Sequence, residues 1–353
     1  MTTTRRLPFK HLIAAAAIAV SFGAQAAQTN LLETGSTLLY PLFNLWVPSY
    51  TQANPDVKIT TQGTGSGTGI AQAISGVAQI GASDAYMSDA QMKQAKSIVN
   101  IPLAVSAQTV NYNLPGLNNT HLKLDGPVLA GIYDGSIKTW NDKKIAALNP
   151  GVNLPDHAIV TIHRADGSGD TFLFTQYLSF TTPAWNSGPG YGTAVSWPAV
   201  QGAVGANGNP GMVQAAQQTP YSIAYIGVSF HKQIDDAGLG TAMLKNHSGK
   251  YLLPTTETVT AAASAMIAKT PKDERLSLIF APGENAYPIV NYEYAIVNTH
   301  QANSDTANAL KQFLNWSISA TGGNSDQYLN AVRFVPLPAK IVDLSRAQIM
   351  MIQ

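Results

Sequence analysis

Val57-Lys58-Ile59-Thr60-Thr61 leads into Gln62-Gly63-Thr64-Gly65-Ser66-Gly67-Thr68-Gly69, then into Ile70 to Ile74 and Gln79 to Ala82, and this stretch carries the reading of the fold. Val57 and Ile59 alternate with polar residues, the period of a half-buried strand. The glycine-rich segment Gly63 to Gly69 reads as a turn, Ile70 to Ile74 as the start of a helix, and Gln79 to Ala82 as a second strand. Strand, loop, helix and strand in succession indicate an α/β fold. Toward the N-terminus, Leu31-Leu32 runs into Thr34-Gly35-Ser36-Thr37, after which Leu38 to Tyr50 has apolar residues at helical spacing, with Pro41 and Pro48 blurring its ends. Toward the C-terminus, Ser88 to Val99 reads as a helix. No internal repeat or low-complexity linker interrupts the chain, and the glycine- and asparagine-rich segment Gly202 to Gly211 reads as a surface loop.

The first residues bear on the compartment. Arg5, Arg6 and Lys10 form a basic region, Leu12 to Phe22 is a short alanine-rich apolar stretch, and Ala24-Gln25-Ala26 offers small residues for cleavage before Ala27. The stretch is shorter than the roughly 20 residues a spanning helix needs. Residues 1–26 are therefore expected to be a signal peptide, and the mature protein to be exported, soluble and, with no cysteine in the sequence, without a lipid anchor. Thr4-Arg5-Arg6-Leu7-Pro8-Phe9-Lys10 also looks like a twin-arginine export signal, with Pro8 as a departure, so both export routes stay open. Cleavage removes three basic residues and no acids, so 21 basic and 20 acidic residues become 18 and 20, a net charge of −2. That balance argues against nucleic acid as a partner. Any attraction for an anion must therefore be local.

Three loops place small donors ahead of expected helices: Thr34-Gly35-Ser36-Thr37-Leu38, Gly63 to Gly69, and Arg164-Ala165-Asp166-Gly167-Ser168-Gly169-Asp170-Thr171 before the helical run Phe172 to Leu178. The first turn of a helix leaves about four N–H groups unpaired and carries partial positive charge. Glycine allows close backbone approach, and serine and threonine add hydroxyl donors. Taken singly, Ser36, Ser66 and Ser168 read as helix caps. Taken together, with a guanidinium four residues before Ser168, they read as an oxyanion site.

Asp84, in Gly81-Ala82-Ser83-Asp84-Ala85, follows a strand, which is where ligands bind in α/β sheets. A carboxylate suits an anion site if the anion carries a proton. Phosphate near neutral pH has a P–OH to donate; sulfate has none and would set acceptor against acceptor. The alternative is that Asp84 caps the next turn.

Thr34-Gly35-Ser36-Thr37, Gln62 to Gly67, Gly81 to Ala85 and Arg164 to Gly169 resemble the corresponding segments of the phosphate-binding proteins of bacterial phosphate ABC transporters, the PstS family. The likeness continues through Ile132-Tyr133, Lys138-Thr139-Trp140-Asn141-Asp142, Ala224-Tyr225-Ile226-Gly227 and Tyr287-Pro288-Ile289, covering nearly all of the mature chain. The resemblance implies a two-lobed periplasmic-binding-protein (type II) fold with a ligand cleft between lobes. It implies lobe 1 from 27–106 plus 290–353, lobe 2 from 107–289, and hinge strands near Val105-Ser106-Ala107 and Pro288-Ile289-Val290. It further implies a periplasmic monomer that captures inorganic phosphate, delivers it to membrane permease subunits, and is neither an enzyme nor dependent on a cofactor. Carried over by position, Thr37, the Leu38 N–H and Ser66 would donate to phosphate, Asp84 would accept its proton, Arg164 would pair with it, and Ser168 with the Gly169 and Asp170 N–H groups would cap it. Asp166 would orient Arg164. Asp170 stands where other members have threonine; its carboxyl would either accept a second ligand proton or stay at the helix N-terminus.

Other readings are weaker. His163, Asp166 and Ser168 are close in sequence, but Asp166-Gly167-Ser168-Gly169-Asp170 lacks the outer glycines of a nucleophile elbow. The histidines are scattered and there is no cysteine, so no metal site is expected. No dinucleotide or GxxxxGK fingerprint is present. Arsenate carries protons as phosphate does and fits the same criteria. Trp46, Trp140, Trp185, Trp197 and Trp316 read as core residues.

Overall fold

The computed structural model describes residues 1–4 and 28–353; the expected leader falls almost entirely on residues 5–27, outside that set. Eight strands form the main sheet: β1 (Thr29–Gly35), β2 (Val57–Gly63), β3 (Ile80–Ser83), β4 (Ile98–Asn113), β5 (Val160–Arg164), β6 (Val204–Ala206), β7 (Ser222–Gly227) and β8 (Val290–Asn298). Their order is β2-β1-β3-β8-β4-β7-β5-β6, and a short ninth strand, Gly240–Thr241, also pairs with β4. β1 pairs in parallel with β2 and β3, and β5 in parallel with β6 and β7, so each end of the sheet is an α/β unit. Between them β8 and β4 run antiparallel. β4 is the crossing strand: its first part pairs with β8 as far as Ala107 opposite Val290, and Gln108 onward pairs with β7. Fifteen of its sixteen residues are buried, consistent with a strand covered on both faces.

The helices relevant here are α1 (Tyr40–Ala53), α2 (Ser66–Ile74), α3 (Gly169–Thr181), α4 (Gly208–Gln218) and α5 (Ala339–Ile349). The first expected helix starts two residues late because the chain turns through Thr37–Leu39, and it passes Pro48 to end at Ala53. α2 opens at Ser66 rather than Ile70, so Gly67 and Gly69 are helical; Gly69 must be glycine because a Cβ there would lie 2.6 Å from Ala82 O. The expected helix Ser88 to Val99 is corrected most. A capping box at Ser88 starts it, but it ends at Gln94, and Ile98 and Val99 already belong to β4. Their branched side chains fit a central strand better than a helix end. The segment Gly202 to Gly211 is not simply a surface loop: it contains edge strand β6 and the first turn of α4, whose first residue, Gly208, has φ +64°.

Trp46, Trp140 and Trp185 are core residues, and Trp197 and Trp316 pack against the core while partly exposed. α5 is bound to the sheet by a buried acid. Glu274 Oε1 accepts from Ser345 Oγ (3.0 Å) and Oε2 accepts from Gln348 Nε2 (2.5 Å), while Gln348 Nε2 also donates to Asn100 O of β4. Among the described residues, no helix is long and apolar enough to cross a membrane.

Candidate functional site

The site forms where the C-terminal ends of β1, β3 and β5 come together, the usual ligand position in such sheets. Gly35 ends β1 with φ +142°, and a Cβ there would fall 2.0 Å from Ala82 O. Only glycine lets the Ser36 N–H reach that carbonyl, at 2.9 Å. Ser36 Oγ then accepts the Leu39 N–H (2.9 Å), as a cap would, and donates its own proton to Asp84 Oδ1. Ser66, first residue of α2, accepts the Asp84 N–H at 3.2 Å and lies 3.3 Å from Asp84 Oδ2. Two of the three loop serines therefore hold Asp84. Asp84 does not cap the next turn; Ser83 Oγ accepts the Ala85 N–H instead.

The third loop enters from the other end of the sheet. Arg164, last residue of β5, is 3% exposed, so its charge must be answered locally. Nε and Nη2 donate to the two oxygens of Asp166, a bidentate pair, and Nη1 donates to Asp170 Oδ2 at 2.9 Å. Asp166 thus orients Arg164 as expected. Ser168 caps α3 by accepting the Thr171 N–H (3.2 Å). The Gly169 and Asp170 N–H groups, at the first two positions of α3, are left without intrahelical partners. The two ends of the sheet are in contact here: Gly67 N–H donates to Gly167 O (2.9 Å), and a Cβ on Gly169 would lie 2.3 Å from Asp84 Oδ2 and 2.5 Å from Ser66 Oγ.

All eight residues singled out from the sequence are drawn together, along with Asn209, Gln108 and Glu293, which sequence reasoning missed. Asn209, fully buried on α4, donates from its backbone N–H and Nδ2 to Thr37 Oγ1 (3.1 and 2.9 Å) and from Nδ2 to Asp170 Oδ2 (2.7 Å). Its Oδ1 accepts the Gly227 N–H at 2.8 Å. Gln108 of β4 donates from Nε2 to Asp170 Oδ1 at 3.0 Å. Both oxygens of Asp170 are engaged by protein donors, which favours its staying at the helix N-terminus as a partner of Arg164. Leu38 contributes backbone, its carbonyl accepting from Ser229 Oγ at 2.7 Å.

The site has one cation and several acids. Burial pulls the Asp166 carboxyl up, but the bonds and charge of Arg164 outweigh it and hold it below the usual range. Burial works against the Arg164 charge, and Asp166 and Asp170 more than restore it. Asp170 stays above the ordinary range because burial exceeds the help from Arg164, Gln108 and Asn209. Asp84 is pushed well above it, first by burial and then by the negative charges of Glu293 and Asp170. Glu293 of β8, next to the Tyr294–Ser83 pair that joins β8 to β3, is itself raised to about 7 by burial, against the lowering influence of hydrogen bonding with Asp84, Ser106 and Asn291.

His163, Asp166 and Ser168 do not form a triad. His163 Nδ1 faces Arg164 O (3.2 Å) and its ring stacks on Trp197, Asp166 serves Arg164, and Ser168 caps α3. Among the described residues, no three His, Asp or Glu side chains cluster to hold a metal ion.

A family model described as the PBP superfamily domain matches residues 21–321. The phosphate-binding protein PstS of Methanocaldococcus jannaschii is 35% identical over 338 residues, with 91% of this chain and 85% of that protein covered. That of Xylella fastidiosa is 34% identical (90% and 84% covered), and that of Pasteurella multocida 31% (94% of each). Among solved structures, a high-affinity periplasmic phosphate-binding protein bound with phosphate superposes with a TM-score of 0.72 at 21% identity, covering 90% of this chain and 93% of the other. A phosphate-binding protein from Stenotrophomonas maltophilia gives 0.69 at 21% identity, with the same coverage. At that identity the structures speak to the fold, a two-lobed binding-protein architecture with curled mixed sheets. The sequence relatives speak to lineage: the chain belongs to the PstS family of phosphate-binding proteins, within the PBP superfamily.

Proposed function

We propose that this chain captures inorganic phosphate outside the cytoplasmic membrane and delivers it to the permease subunits of an ABC importer, without catalysing a reaction. One observation carries the reading: a serine-held carboxyl, Asp84, and a carboxylate-oriented guanidinium, Arg164, meet among helix N-termini from both ends of the sheet. Thr37, the Leu38 N–H, Ser66, Arg164, Ser168 and the Gly169 and Asp170 N–H groups supply donors to the anion, and Asp84 accepts its P–OH. Lobe 1 comprises 27–106 and 290–353, lobe 2 comprises 107–289, and the β4 and β8 crossings near Ala107 and Val290 are the hinge. Residues 1–26 direct export to the periplasm, where the mature monomer works without cofactor, metal or nucleic acid. Roughly eight charge-assisted bonds to the anion must offset its desolvation, and micromolar affinity needs about 8 kcal/mol net.

Calorimetric titration of the mature, ligand-stripped protein with phosphate and then sulfate tests this. One-to-one phosphate binding with no sulfate heat is expected. Equal binding of both anions would defeat the role given to Asp84, and binding of neither would defeat the function.

A further inference from the structure

Thr37 Oγ1 has one proton to give and two lone pairs with which to accept. Both lone pairs are used: Asn209 donates to this oxygen from its backbone N–H at 3.1 Å and from Nδ2 at 2.9 Å. The orientation of the Asn209 amide is not free, because Oδ1 accepts the Gly227 N–H at 2.8 Å and a backbone N–H can only donate. Nδ2 is thereby turned toward Thr37, and its second proton goes to Asp170 Oδ2 at 2.7 Å. The Thr37 rotamer is held on its other branch, where the methyl packs between two glycines: a Cβ on Gly63 or on Gly208 would lie 3.3 Å from Thr37 Cγ2. Thr37 is buried, and among the described residues its hydroxyl proton has no protein acceptor. That proton has one course left, away from Asn209.

We infer that Asn209 is a positioning residue for anion capture: it makes Thr37 an obligate donor, and it does so only when the two lobes have met. The inference rests on the phosphate-capture reading and its division into lobes. Thr37 follows β1, within 27–106, whereas Asn209 stands in the first turn of α4, within 107–289, so the contact crosses the cleft. Ser229, also from the second lobe, donates to the Leu38 carbonyl at 2.7 Å, so the turn is gripped at two successive residues. With the lobes apart Asn209 is withdrawn, and water can donate to Thr37 as readily as accept from it. Closure fixes the direction of the proton. An anion oxygen facing Thr37 then meets a donor and never a competing acceptor, which leaves a P–OH to be turned toward Asp84. Asn209 has no donor left for the ligand, since its N–H and both Nδ2 protons are engaged. It acts on the anion through Thr37. A bond completed after closure slows release and leaves capture alone.

Phosphate titration of the mature wild type, Asn209→Ala, Thr37→Val and the double variant by calorimetry tests this. Asn209→Ala should lower affinity by about tenfold to a hundredfold, the range for a bond to a charged group. In the Thr37→Val background, which has no hydroxyl to orient, the same change should lower it by about threefold or less. Thr37→Ser keeps the hydroxyl and should bring back the full loss. An unaltered affinity in Asn209→Ala, or equal losses in the valine and wild-type backgrounds, overturns the inference. Chase of bound 32P-phosphate separates the rates: release should quicken by the whole loss while association stays within about twofold of wild type. A loss carried by slower association would also overturn it. Should Asn209→Ala fail to fold, neutron diffraction from phosphate-loaded wild-type crystals decides. Deuterium on Thr37 Oγ1 aimed at a ligand oxygen, with both Asn209 N–D bonds aimed at Oγ1, upholds the inference; deuterium aimed at a protein oxygen refutes it. A wild type that binds no phosphate would defeat the capture reading itself, an outcome distinct from equal losses in a protein that binds.

Discussion

Replacing Glu274 with glutamine should make this protein less sensitive to alkali. The acid ties α5 to β4 through Ser345 and Gln348, and burial, opposed by those two bonds, raises its carboxyl from 4.5 to about 8. Between those values the folded chain binds a proton that the unfolded chain has released, so stability is highest below about pH 4.5 and declines until about pH 8. At 1.36 kcal/mol per tenfold change, the full decline is on the order of 5 kcal/mol, comparable to a whole domain's stability. Glu33, buried beside Thr61 and also raised to about 8, adds a second contribution of the same sign. Urea unfolding of wild type and Glu274→Gln at intervals from pH 5 to pH 9 reads this directly. The amide forfeits one acceptor and shifts the variant by a constant amount of about 1 kcal/mol. On top of that, the wild-type curve should fall faster by up to one proton's worth of slope, so that the two converge or cross as pH rises. Parallel curves would mean that Glu274 does not hold a proton in the fold, and the burial argument would fail.

Gly169→Ala should weaken phosphate binding by about tenfold or more, because the methyl would lie 2.3 Å from Asp84 Oδ2 and force the α3 N-terminus back by more than the tolerance of a hydrogen bond; calorimetry measures it, and an unaltered affinity would mean that Gly169 does not face the anion. Asn209→Ala strands Thr37, Asp170 and the Gly227 N–H at once, and urea unfolding should register a loss of about 1–3 kcal/mol together with weaker phosphate binding. Arg164→Lys keeps the charge but cannot reproduce the fork onto Asp166, so phosphate affinity should drop at least about tenfold despite the conserved sign.

What could be read from sequence follows the range of the interactions. Ser36, Ser66, Ser168 and the Arg164–Asp166 pair sit in short loops whose residue types declare their own chemistry. Asp84 was legible because a strand end fixes where a side chain goes. Asn209 was missed because its setting, Gly205-Ala206-Asn207-Gly208-Asn209-Pro210-Gly211, has the composition of a loop. Its value comes from Thr37, 172 positions away. Glu293 and Gln108 sit in apolar strands and meet Asp84 and Asp170 only through the sheet. The end of the helix after Ser88 was misplaced because Ile98, Val99, Ile101 and Leu103 fit either period until β8 recruits them into the sheet.

The position of β8 between β3 and β4 also shapes how the chain comes to be folded. During synthesis β3 and β4 emerge early, but the strand that joins them is made some 180 residues later, and until then both present bare edges able to pair with the wrong neighbour. Bringing Ala107 and Val290 face to face across a loop of that length would cost about 5 kcal/mol in chain entropy if the intervening segment were a coil. A segment already folded around β7 and β5 would deliver the two ends side by side and remove most of that cost. On that estimate, chains in which the middle segment closes first would bring β3 and β4 to their shared neighbour at the lowest cost in chain entropy.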